Sequence, residues 1–123
     1  METVDQRLLS AIDDYYVRKY VKMVLERTAK VFKIDVEELI KFKRHSSIPN
    51  AAVINDLNAQ SAASHIMQSF MNIKPHQLYK IFDSSRTKFY RLNLRCIDNL
   101  MYEPEFRRKY ISIQDFMFIE FDK

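Results

Sequence analysis

Glycine is absent from the chain, and that one absence removes several functions. Phosphate-cradling loops need residues without a side chain where the backbone closes on the ligand, so neither a P-loop nor a dinucleotide fingerprint can be built. Tight two-residue β-hairpins are disfavoured as well, because their primed turns rely on positive φ. Helices joined by short polar turns become the default.

Cysteine is nearly absent too. Cys96 stands alone, which excludes an internal disulfide and any zinc site made of cysteine pairs. The three histidines, His45, His65 and His76, fall in different segments without a His-Glu-x-x-His spacing, so no metal is expected. No apolar run approaches the ~20 residues of a membrane span. The opening residues lack the basic start and apolar stretch of a secretory signal. A cytoplasmic protein without a membrane partner is the expectation. Asp13-Asp14 and Glu37-Glu38 are adjacent pairs whose side chains diverge on a helix. No Ser, His and Asp grouping suggests a nucleophile, so neither an enzyme nor a cofactor is expected.

What is present suits one folded domain: 123 residues, 47% hydrophobic and 13% aromatic, enough to bury a core without covalent staples. The net charge of +4 is unevenly spread. Residues 1–40 carry seven Lys/Arg and eight Asp/Glu, whereas residues 74–110 carry nine cations against four acids. Lys41, Lys43 and Arg44 form a separate basic loop, 41–45, without an acid. Positive charge gathered in one loop and one later segment is the footprint a nucleic-acid partner would require.

Apolar spacing divides the chain into helices. A first block, Asp5 to Phe32, reads as one long helix or as two with a break at Asp13-Asp14. Asp35 is placed to cap a short helix containing Val36, Leu39 and Ile40. Residues 45–58 read as a connection, with a helical turn allowed over Ala51 to Leu57. A third helix covers about 58–71, a fourth about 75–82 with Pro75 at its favoured first position, and a fifth about 86–101. The last segment, Ile111 to Phe121, fits either a short helix or an edge strand, packed on the domain or on a partner. The expected fold is all-α, a single domain of about five to six helices with a helix-turn-helix in the second half. Within it lie an N-terminal helical extension (1–22), a central region (23–101) and an apolar tail (102–123).

On a wheel of about 100° per residue, the fifth helix gathers Arg86, Phe89, Tyr90, Asn93, Leu94, Cys96, Ile97, Leu100 and Met101 on one side. Thr87, Lys88, Arg91, Arg95, Asp98 and Asn99 occupy the other. The larger apolar side is expected to face the core, with Cys96 buried. The cationic side is then free to enter a major groove, as a recognition helix does. The candidate DNA contacts are Ser85, Arg86, Thr87, Lys88, Arg91 and Arg95, with Lys41, Lys43 and Arg44 holding phosphates of double-stranded DNA.

Val24 to Ile34, the short helix Asp35 to Ile40, the basic loop and Asn58-Ala-Gln-Ser-Ala-Ala63 together resemble the C-terminal DNA-binding domain of the bacterial replication initiator DnaA. That domain belongs to the Trp-repressor-like helix-turn-helix group. The resemblance covers roughly Val24 to Met101, and it implies burial of Leu78, Phe82, Tyr90, Leu94 and Ile97. It also implies DNA binding in replication or transcription control, as in a phage or mobile element. Four departures stand beside it, one being that the stretch between the basic loop and the third helix is several residues longer than the family's. Arg86-Thr87-Lys88-Phe89 replaces the family's Asp-His-Thr-Thr stretch, Asp83-Ser84 replaces its Gly-Gly turn, and the ATPase module is missing. The alternative expectation is a protein-interaction module or inhibitor working through the apolar tail at 111–121 without DNA, while a homodimer formed through the same tail would present two DNA-reading helices at fixed spacing.

Overall fold

A computed structural model describes residues 3–41 and 50–121, the last of these by its backbone alone. Among the described residues the chain is helical throughout, with seven helices: α1 (Val4–Ala11), α2 (Tyr15–Phe32), α3 (Val36–Leu39), α4 (Ala51–Met71), α5 (Pro75–Ile81), α6 (Arg86–Tyr102) and α7 (Pro104–Phe121).

Local chemistry sets the boundaries. The first block is two helices because Asp14 turns its carboxylate onto the backbone N–H groups of Tyr16 (2.8 Å) and Val17 (3.2 Å), restarting the helix there. Arg18 closes the break by donating to the carbonyls of Ile12 and Asp13. Asp35 precedes α3 as expected but makes no side-chain capping bond. The third helix starts seven residues earlier than its apolar face suggests, at Ala51, because Asn50 Oδ1 accepts from Val53 N at 2.9 Å. Without glycine, the chain places Lys33, Asn72 and Asp83 at positive φ where α2, α4 and α5 end, a conformation that asparagine and aspartate tolerate better than lysine.

The segment after Tyr102 is a helix, which decides between helix and edge strand. Pro104 pushes Glu103 into an extended conformation, ending α6, and itself opens α7. Phe106, Tyr110, Ile113 and Met117 follow at helical spacing and are buried. Thus α7 lies against α2 and α6 and touches α4, and its apolar residues largely belong to the core. Ile111, Phe118 and Ile119 point outward, with Phe118 edge-on to Phe70.

At the centre is α4, packed on α2, α3, α6 and α7. Its middle is buried on every side through Ala59, Gln60, Ser61, Ala62, Ala63 and Ser64. Small residues in that run let neighbouring helices approach closely. The N-terminal segment joins the same core through Val4, Leu8 and Ile12. Arg7 Nη1 donates to the carbonyl of Ile40 (2.8 Å) and to that of Ile81 (3.1 Å), so α1 ties the end of α3 to the end of α5.

Candidate nucleic-acid interface

Short α5, the turn Phe82 to Ser85 and long α6 have the order of a helix-turn-helix. Leu78, Ile81 and Phe82 fix the first helix to the core, and the Tyr79 and Phe89 rings meet edge to face at 5.6 Å between centroids. Ser85 opens α6 by accepting from Lys88 N at 3.2 Å. Its hydroxyl therefore serves the helix cap before any ligand.

The rotation of α6 differs from the sequence expectation. Its buried side chains are Lys88, Phe89, Leu92 and Cys96, so Cys96 is in the core as expected while the helix turns a different side to α4. Lys88 is only 8% exposed, whereas Tyr90 (64%), Leu94 (45%), Ile97 (46%) and Met101 (60%) face outward. The cause lies in the two apolar stripes of this helix. Counting residues favours the longer stripe, but α4 offers polar partners to both edges of the shorter one, to Arg95 and Asn99 on one edge and to Asn93 on the other. Asn58 Oδ1 accepts from Arg95 Nη1 and from Asn99 Nδ2, both at 3.1 Å. Gln68 Oε1 accepts from Asn93 Nδ2 at 3.2 Å. These bonds offset part of the cost of covering polar groups on the side turned to α4.

Of the candidate contacts, Arg86, Thr87 and Arg91 stay exposed, as does Ser85. Lys88 is withdrawn into the domain, so its place on an open DNA face is corrected. Arg95 is half-buried and anchored to Asn58, and burial pulls its pKa below the usual guanidinium value. A cleft of about 410 Å³ along this side of α6 is lined by Lys88, Arg91, Arg95, Asp98 and Asn99, among others. In the basic loop, Lys41 pairs with Glu38 at 2.9 Å just past α3. Lys43 and Arg44 lie outside the described residues. Tyr90, now beside Arg86 and Arg91 on the outer surface, joins the candidate site. Asn58 joins it as the residue that orients Arg95. No pattern in the sequence distinguished either.

Beyond this surface, His65 and Tyr110 meet between α4 and α7, with His65 Nδ1 2.7 Å from the tyrosine oxygen. Burial lowers the His65 pKa and raises that of Tyr110, so a neutral ring meets a protonated hydroxyl. An unfolded histidine titrates near ~6.5. The folded state binds its proton less readily, so this contribution is complete above that value and is lost as pH falls from it toward the lower folded pKa. The urea midpoint should therefore drop between pH 7.5 and 5.5, and His65→Gln should flatten that part of the dependence. An unchanged slope in the variant would contradict this coupling.

Among the described residues no group of three or more His, Cys, Asp and Glu side chains could hold a metal ion, and no helix is long and apolar enough to cross a membrane. No family model, curated protein or solved structure matches the chain, so its surface chemistry carries the functional reading.

Proposed function

We propose that the protein binds double-stranded DNA through the first half of α6. The observation that carries this reading is the exposed set Arg86, Thr87, Tyr90 and Arg91 on the opening turns of the second helix of a helix-turn-helix. From Arg86 until Asp98 the helix holds four cations and no acid. The opening turns are the part of a recognition helix that reaches base edges. Arginine suits guanine edges and phosphates, and threonine suits either a base or the backbone. The half-buried Arg95 is held in a fixed orientation by Asn58 and fits a phosphate better than a base. Lys43 and Arg44 would add backbone contacts from the basic loop. A role in replication or transcription control extends the initiator resemblance, although the exposed Tyr90, Leu94 and Ile97 depart from the burial it implies.

Fluorescence anisotropy with random duplex DNA across a salt series tests the reading. Binding should weaken with a log–log slope of about −0.9 per phosphate contact. The Arg86→Ala, Arg91→Ala double variant should bind at least roughly tenfold more weakly, for a loss of ~1–3 kcal/mol per good contact, with an unchanged circular dichroism spectrum. Absence of binding at low salt would overturn the proposal.

A further inference from the structure

The outward stripe of α6 calls for an apolar partner, and its own layout indicates which one. Tyr90, Leu94, Ile97 and Met101 follow one another at intervals of four, three and four residues, the seam spacing of helices that pair lengthwise. All four are exposed. DNA gives little reward for burying Leu94, Ile97 and Met101, which have no polar group to offer bases or phosphates. The exposed Arg86 lies on one edge of the stripe, while the charges flanking the other edge are Arg91 and Asp98, seven residues apart and both exposed. Neither makes an ion pair among the described residues.

We infer that this stripe is the seam of a homodimer in which α6 pairs antiparallel with α6 of a second copy. A two-fold axis between Leu94 and Ile97 sets Leu94 against the partner's Ile97 and Tyr90 against the partner's Met101. The same operation brings Arg91 beside the partner's Asp98, and Asp98 beside the partner's Arg91. A parallel pairing in register would instead turn this edge to the partner's other edge, setting Arg91 beside the partner's Arg86 and Asp98 beside the partner's Asn93. The stripe is thus self-complementary in both shape and charge only in the antiparallel sense, which is what an isologous interface requires. Charge complementarity at the rim fixes register while the apolar centre supplies the affinity. The seam covers Tyr90 and Arg91, so a dimer and a DNA complex through this face exclude one another. The inference does not depend on the DNA reading, since it concerns the protein alone.

Sedimentation equilibrium of the full chain without DNA, over a wide concentration range, tests it. The expected result is a mass that rises from one copy to two. Ile97→Asp should hold the protein at one copy while leaving its circular dichroism melt intact, because that side chain is outside the core. Arg91→Glu and Asp98→Arg should each weaken dimerisation by roughly tenfold, since the two-fold axis counts each change twice. The double charge swap should restore it. A wild-type chain that stays at one copy throughout overturns the inference. So does a dimer indifferent to Ile97→Asp, or a charge swap that fails to rescue. DNA binding by a chain that never dimerises would leave the functional proposal standing and remove this one.

Discussion

Phe106→Ala should destabilise the protein by ~3–5 kcal/mol, the usual cost of emptying a buried aromatic site. Phe106 is 4% exposed at the start of α7, with its ring 6.1 Å from that of Phe32 and 6.4 Å from that of Tyr110. Its ring joins α7 to α2. A domain of this size has a total stability of about 5–15 kcal/mol, so the loss would consume much of it. Urea unfolding followed by far-ultraviolet circular dichroism measures the effect. Phe118→Ala is the matched control. At 46% exposure on the outer side of α7, it should cost under about 1.5 kcal/mol. Equal effects at the two positions would show that α7 does not complete the core.

The second large effect is at Gln60. Its side chain is fully buried in α4, and Nε2 donates to the carbonyls of Leu39 (2.9 Å) and Lys41 (2.6 Å). Those carbonyls close the one-turn helix α3, whose final acceptors have no partners within the helix. Gln60→Leu preserves the bulk and removes the donor, leaving two carbonyls to find other partners at about 1–3 kcal/mol each. Gln60→Glu should be worse although its shape is closer to the original, because it sets a carboxylate against two carbonyl oxygens in a buried place. The order wild type, leucine, glutamate in urea midpoint is the expected result. Glutamate as the milder change would mean that Gln60 acts by packing alone.

These two sites differ in how far the sequence announces them. The spacing of Phe106, Tyr110, Ile113 and Met117 is helical, and Pro104 marks where such a helix would begin. The dense apolar run from Ile111 to Phe121 obscured that period, because alternating and helical patterns both fit so many hydrophobic residues. Gln60 is legible only in three dimensions, since its partners lie some twenty residues away on another helix. The positions of α5 and α6 followed from Pro75, the Asp83-Ser84-Ser85 turn and the apolar period that continues after it. The rotation of α6 did not follow. A wheel ranks faces by apolar content, whereas the packing was decided by Asn58 and Gln68, polar residues on α4 that match Arg95, Asn99 and Asn93. For the candidate site the consequence is specific. The first-turn residues Arg86 and Thr87 and the second-turn Arg91 are exposed as expected, while Lys88 is drawn inward and the apolar residues assigned to the core form an outer surface.

The position of α7 also matters during synthesis. A nascent chain that has reached Tyr102 contains every helix of the helix-turn-helix, yet the sides of α2 and α6 that α7 covers are still bare. At about 5–20 residues per second, the eighteen residues of α7 take on the order of a second or more to arrive. Throughout that interval Phe32 on α2 lacks the cover that Phe106 later supplies, and apolar surface left bare in this way favours aggregation of the growing chain.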